Sequence, residues 1–297
     1  MFLFQFDNND LLQPKAPSER QKNRIEQSKS DTRLIINTSR YRLDPASMPP
    51  VIETLPVSEA VRRAIMKIHG DIAAKGRVRG RSDTFSGKDI TGVPLSGHRH
   101  AYYLPADEDG DGRLDHITIY AEAGFNEEEV IALACLRVVF TGLDTEKNQP
   151  LRLFLIELGN SKNFDHGPMA KSNVWRSATP YISTRFFKTR GRNSVNIKSP
   201  EDRIKALESD IRRILAEVRT DLSEATIARV EVQPIPGGKI GPYLTSQFKR
   251  RRRRKSGDDG GRRMTGAFKI ILPEAVKGPL ALGWSSHFGM GLFLPAD

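Results

Sequence analysis

Histidine is the side chain best suited to moving protons near neutral pH, and the chain has six: His69, His98, His100, His116, His166 and His287. His98 and His100 stand two apart in "HRHAYYLPA", a run of strand composition, which predicts that they share a face. His116 opens the run across the acidic turn and would reach the same hairpin from its other strand. His287 lies in "LALGWSSHFGMGLF" beside Ser285 and Ser286, among Gly283, Gly289 and Gly291. His69 comes late in an apolar-periodic run, just ahead of Lys75, Arg77, Arg79 and Arg81. His166, in "NFDHGP", has no supporting neighbour and is assigned no role. Imidazoles beside positive charge suit acid–base chemistry on an anionic ester: one group takes the proton of an attacking hydroxyl, an acid protonates the departing oxygen, and cations hold the developing negative charge. For His69 the plainer alternative is a helix-surface histidine favoured by the C-terminal dipole, and for His98, His100 and His287 it is a hydrogen bond within the fold.

The charge favours the same chemistry. Forty-seven Lys and Arg against 36 Asp and Glu leave a net charge of +11 and a pI near 9.8, which points to a polyanionic partner. The densest block runs from Lys249 through Arg250, Arg251 and Arg252 to Lys255. Smaller clusters hold Arg77, Arg79 and Arg81, and Arg185, Lys188, Arg190 and Arg192. Each phosphate that such groups neutralise releases counterions, so the affinity they give depends on salt and little on sequence. Three glycines at G-x5-G-x-G spacing would let the backbone approach a sugar-phosphate chain and aim N–H groups at it, although glycines near a strand also mark simple bends.

Other chemistries are excluded or weak. Cys135 is the only cysteine and reads as a small buried hydrophobe, so no disulfide framework and no cysteine zinc site exists. Asp107, Asp109 and Asp111 followed by Gly112, with Asp115 beyond, match the first half of a calcium loop. The twelfth position is Thr118 rather than the bidentate Glu, so an acidic turn that needs no ion is the simpler reading and a structural calcium the alternative. Nothing points to a catalytic metal. No apolar segment approaches the about 20 residues that cross a bilayer, and a cytoplasmic protein is expected.

These residues must be positioned by a fold. "RLIINTSRYRL" (33–43) reads as a strand. "LPVSEAVRRAIMKIHGDIAAKG" (55–76) reads as a helix, with Val57, Val61, Ile65, Ile68 and Ile72 on one face and Ser58 as its N-cap. Two strands around "DEDGDGR", a helix opened by Asn126, and the strand "LRLFLIELG" (151–159) complete a β-α-β-β-α-β order. A second set follows: "WRSATPYISTRFF" (175–187), a helix over 199–218 capped by Ser199 with Pro200 at its first position, then strands at 228–235, 266–273 and 278–295. The helix expected between the last two strands is missing. The fold class is therefore α+β, two tandem ferredoxin-like (RRM-like) modules with the second degenerate. The expected boundaries are a polar lead-in at 1–32, a first domain at 33–160, a linker at 161–174 and a second domain at 175–297. Trp175 and Tyr181 could stack on unpaired bases, but core packing is favoured for Trp175.

The glycine spacing at the end of such a tandem chain resembles the glycine-rich loop of the CRISPR RAMP superfamily, in particular its repeat-RNA endoribonucleases. "SGHRHAYYLPADEDGDGRLDHITIYA" (96–121), "WRSATPY" (175–181) and "LGWSSHFGMGLF" (282–293) resemble the Cas-six portion of the Csb-type fused Cas-five/Cas-six proteins of the type I-G (formerly I-U) systems. Members of that family commonly carry a further Cas-five half ahead of this region, where this chain has only the short polar lead-in. The resemblance implies binding of CRISPR repeat RNA and its cleavage to a 2′,3′-cyclic phosphate and a 5′-hydroxyl, without a cofactor. It further implies retention on the product with the other subunits of an effector complex. It makes His69 the leading acid or base, with His98 and His100 next, and Ser285, Ser286, His287 and the loop glycines part of an RNA cradle with the basic clusters. A non-catalytic RNA-binding subunit needs only the loop and the charge, and a calcium-stabilised interaction module needs only the acidic hairpin.

Overall fold

The computed structural model describes residues 35–74, 82–89, 91–95, 97–141, 150–187, 195–196, 199–250, 260–261 and 263–296. Residues 36–297 form one compact unit, built around two antiparallel sheets. The first sheet comprises β1 (Thr38–Leu43), β2 (Tyr102–Ala106), β3 (His116–Tyr120) and β4 (Leu151–Gly159), in the order β2-β3-β1-β4, with the short strand Val138–Val139 beyond β4. Helix α1 (Thr54–Ala74) connects β1 to β2, and α2 (Glu127–Cys135) follows β3. This is the ferredoxin-like strand order, in which each helix crosses over so that β1 and β3 lie side by side.

The second sheet repeats it. Strands β5 (Lys171–Ser177), β6 (Glu231–Pro234), β7 (Phe268–Lys277) and β8 (Leu292–Pro295) take the order β6-β7-β5-β8. Helix α3 (Pro200–Val218) connects β5 to β6. Between β7 and β8 the second helix is replaced by the two-residue strand Leu280–Ala281 and a loop, so the fold class is the tandem, half-degenerate one expected.

The periodicities of the sequence build these layers. On α1, Val57, Val61 and Ile65 are fully buried against Tyr41, Leu43, Ile117 and Leu133. On α3, Leu207, Ile211 and Leu215 meet Trp175, Phe268, Ile270 and Phe293, each such side chain contributing about 1.5–3 kcal/mol by leaving water. Ser199 caps α3 by accepting from the amide of Asp202, and Asn126 and Glu129 form a reciprocal capping box at α2. Alternation along β2 divides its side chains: Tyr103 points to the helices, while Tyr102, Leu104 and Ala106 meet Ala281 and Leu292 of the second module. Both faces of β2 are therefore covered, and the two modules join along it.

Three local expectations are corrected. Ser58 is not an N-cap: α1 begins at Thr54, and Ser58 Oγ bonds back to the Thr54 carbonyl at 2.8 Å inside the helix. Cys135 is exposed rather than buried. Helix α2 stops there, its inward face being Ala132, Leu133 and then Leu136, so Cys135 falls on the outer side with Ile131 one turn earlier. His98 and His100 lie in the irregular segment ahead of β2, which starts only at Tyr102.

Candidate active site at the module junction

Three segments far apart in sequence meet at one place. The amides of Ala178 and Thr179 donate to the Leu292 carbonyl (2.9 and 3.2 Å), and Gly291 N donates to Pro180 O (2.9 Å). Thr179 Oγ1 donates to Gly289 O at 2.6 Å and accepts from Leu292 N at 2.9 Å. The loop that replaces the missing helix is thereby fastened to the connection after β5 and laid against β2 and the start of α1. Gly289, at φ +75°, shows why side chains are excluded: a Cβ there would lie 2.9 Å from Thr54 Cγ2 and 3.1 Å from Pro105 Cδ. Gly283, at φ +91°, abuts the Ile182 carbonyl and the Tyr181 ring, and Gly291 abuts the Leu282 carbonyl.

The loop amides are also committed. Trp284 N donates to Ile182 O, Leu282 N to Gly291 O, Ser286 N to Gly283 O, and Phe288 and Met290 N to Ser285 O. Gly289 therefore serves close packing between the modules and Gly283 and Gly291 close packing within the second, and these N–H groups are not aimed outward at phosphate.

What the loop delivers is His287. Ser285 takes a left-handed conformation (φ 57°), a region costly for a residue with a side chain, and starts the single turn Ser286–Phe288. That turn slots the His287 ring between two others. His100 stacks on it at 3.8 Å between centroids and 6° between planes, and Tyr102 at 3.8 Å and 20°. His98 lies alongside, its Nδ1 3.1 Å from His287 Nε2.

The hydrogen-bond partners assign the tautomers. His287 Nδ1 is 3.3 Å from the Ala101 carbonyl, which can only accept, so Nδ1 carries the proton and Nε2 of the neutral ring the lone pair. His98 Nδ1 must then donate to that lone pair. The nitrogen left on His98, Nε2, is unprotonated in the neutral ring, and the residue is exposed. The result is a base held in one tautomer by a second histidine, which is held in turn by a backbone carbonyl, an arrangement that generalises the nucleophile–base–orienter logic of hydrolases.

The electrostatics keep the rings neutral. Burial is the first cause throughout. It lowers His98 even though the residue's outer edge is exposed, because its Nδ1 side is covered by His287, and the charges of Glu217 and Glu122 work the other way. It pushes His100 down to about 4, helped by His98 and Arg62. His287 is held well below the ordinary value by burial and its two histidine neighbours. Arg62 is fixed beside the stack, its Nε 3.1 Å from Phe85 O and its guanidinium over the Phe288 ring at 5.8 Å. Arg99, between the two histidines, is exposed.

The other sequence candidates fall elsewhere. His69 is 4% exposed, edge-on to Phe85 and 4.0 Å from Glu128, packed where α1 meets α2. None of its described contacts is with the three-histidine stack. His116 sits on β3 with Nδ1 3.0 Å from Asp115 Oδ1, and it too stays out of the stack. His166 has the neighbour the sequence did not reveal: its Nε2 is 2.6 Å from Glu157 Oε1. Trp175 is fully buried, as expected. Lys249 pairs with Glu53 at 2.7 Å, Arg250 donates to the Thr245 carbonyl, and Arg185 pairs with Asp210 at 3.0 Å. Arg77, Arg79, Arg81, Lys188, Arg190, Arg192, Arg251 and Arg252 lie outside the described residues.

In the acidic turn Asp107, Asp109 and Asp115 bring carboxylate oxygens within 4.8 Å of one another, and Asp111 is not among them. Asp107 accepts from the amides of Gly110 and Gly112, and Asp115 from Glu108, so backbone donors already organise the turn. No helix among the described residues is long and apolar enough to cross a membrane.

The strand orders define the chain as a tandem ferredoxin-like α+β protein. No family model and no curated protein matches it. Among solved structures it is similar to one described as "An RAMP protein binding different RNA substrates", with 12% identity, a TM-score of 0.40, and coverage of 88% of this chain and 100% of that one. It is also similar to "CRISPR associated protein Cas6", with 9% identity, a TM-score of 0.39, and coverage of 89% and 99%.

Proposed function

We propose that the chain binds CRISPR repeat RNA and cuts it without a metal, with His98 as the proton-accepting residue. The observation that carries the reading is the convergence of the stretches around 96–121, 175–181 and 282–293, on which the resemblance to repeat-RNA endoribonucleases rests, with His98, His100 and His287 in contact where they meet. Neutral His98 Nε2 takes the proton of the 2′-hydroxyl. The 2′-oxygen bonds to phosphorus, the bond from phosphorus to the 5′-oxygen breaks, and that oxygen takes its proton from water while the proton held by His98 returns to solvent. The products are a 2′,3′-cyclic phosphate and a 5′-hydroxyl. Arg99 supplies positive charge to the phosphoryl oxygens, and His287 is a positioning residue that fixes the tautomer of His98. Retention of the cut RNA within an effector complex, and a cytoplasmic location, belong to the same reading.

The test is cleavage of labelled repeat RNA in EDTA. His98→Ala should slow the cut by about 100-fold or more, the usual contribution of a general base. His287→Phe, which keeps a stacked ring but removes the acceptor, should slow it less and alter its pH profile. His69→Ala should leave the pH profile of any residual activity unchanged. Full activity in His98→Ala would refute the assignment, and if only His69→Ala abolished cleavage the buried histidine would take its place. Tight binding with uncut RNA would favour the non-catalytic RNA-binding subunit.

A further inference from the structure

Helix α3 buries a carboxylate. Asp210 has no exposed side-chain surface and sits among Leu207, Ile211 and Ile214. A buried charge is costly unless it is paired and fully hydrogen-bonded, and here it is both. Its Oδ2 accepts from Tyr181 OH (2.7 Å) and Ser183 Oγ (2.6 Å). Its Oδ1 takes Arg213 (2.8 Å) and Arg185 Nε (3.0 Å). Burial opposes ionisation, but the bonds from Ser183, Arg213 and Tyr181 hold the carboxyl below its ordinary value, so it is charged at neutral pH.

That anchor fixes a ledge at the surface. Arg185 is 47% exposed along its side chain despite its buried partner, and its guanidinium lies over the Phe187 ring at 5.0 Å. Phe186, the next residue, is 66% exposed, with the Arg263 guanidinium 4.6 Å from its centroid. Arg263 also donates to the carbonyls of Ser183 and Thr184. A large apolar ring left in water, with one guanidinium against it and a second over the neighbouring ring, is a stacking platform beside phosphate donors. Asp210 faces Arg185 and Arg213, Glu217 also pairs with Arg213 at 2.6 Å, and Arg263 adds a further cation, so three guanidiniums against two carboxylates leave the ledge positive.

We propose that Arg185, Phe186 and Arg263, set in place by buried Asp210, bind an unpaired stretch of RNA, one base stacking on Phe186 and the adjoining phosphates meeting the two arginines. This rests on the RNA reading above and adds its strandedness: a paired stem offers phosphates but no open base face, so only a single strand uses the ring.

The experiment is anisotropy titration of the full chain with two labelled probes, an oligouridylate of about ten nucleotides and a blunt RNA hairpin. Phe186→Ala should weaken the oligouridylate by about tenfold with an unchanged salt slope, and leave the hairpin unaffected. Arg185→Gln should weaken it and reduce the salt slope by about one. Asp210→Asn should follow Arg185→Gln; if it fails to fold, the exposed Phe186 still carries the test. Wild-type binding of oligouridylate that Phe186→Ala leaves unchanged, or an equal loss on the hairpin, would overturn the ledge while the cleavage assay still stands. A wild-type chain that binds neither probe nor repeat RNA would overturn both.

Discussion

Acid should loosen the histidine stack before it unfolds the rest of the chain, and His100 allows the size of the effect to be worked out. Its pKa falls from 6.5 to about 4 on folding, because the ring is buried against His287 and Gly87 and lies near His98 and Arg62. A base whose pKa is lowered by folding binds more protons when unfolded, so the unfolded state gains as pH falls. The fold keeps the full contribution of the neutral ring above pH 6.5 and loses it between 6.5 and about 4. Linkage makes the loss about 2 kcal/mol at pH 5 and about 3 kcal/mol at its limit. The ring is partly exposed, so solvent screening makes these upper values. The assay is urea unfolding of the wild type and of His100→Gln at about pH 7.5 and about pH 5, with the difference between the proteins compared. That difference should shrink toward acid by up to about 2 kcal/mol, since the variant has no imidazole at position 100 to protonate. Carboxylates that titrate in the same range are common to both proteins and cancel. Parallel pH dependences would refute the claim that the stack holds His100 neutral.

Gly289→Ala should cost about 2 kcal/mol or more in urea unfolding, combining left-handed strain with the contact to Thr54. Adding Thr54→Ser, which removes the offending methyl, should restore part of that loss but not the strain, and full restoration would show that the backbone conformation costs nothing. At Asp107, burial pushes the carboxyl up to about 6. An acid raised by folding contributes stability that is full below its ordinary value of 3.8 and is lost as pH rises from there through about 6. Asp107→Asn should therefore gain up to about 1 kcal/mol on the wild type between about pH 5 and about pH 7.5, after allowance for partial exposure. A constant difference in melting between those values would contradict the direction assigned to Asp107.

What the sequence made legible is what neighbours along the chain decide. Ser199 and Pro200 at the start of α3, Asn126 with Glu129 at α2, and strand β4 over Leu151–Gly159 all fall where residue type and period placed them. The absence of the last helix was legible for the same reason, since three glycines in nine residues cannot hold one. Ser58 misled because a serine can bond back to the helix carbonyl four residues earlier as readily as it can cap. Cys135 misled because the apolar run continued past the point where the helix ends, and the side it faces is set by Leu133 and Leu136 turning inward.

The histidine site was only half legible, and the reason is geometric. His98 and His100 were singled out, but as a strand face; what joins them is His287, 189 residues from His98 and brought in by tertiary packing alone. No spacing rule reaches that far. The glycines were noticed for the room they leave to a ligand, whereas the room is filled by Thr54, Pro105 and Tyr181. These two facts have one cause. Because the second module lacks its last helix, the chain between its final strands is free to cross to the first module, and only residues without side chains let it lie close enough to set an imidazole between His100 and Tyr102. The degenerate module thus completes the histidine stack begun by the regular one. Loosening the loop at Gly289 should accordingly disturb His98 even though the two residues do not touch.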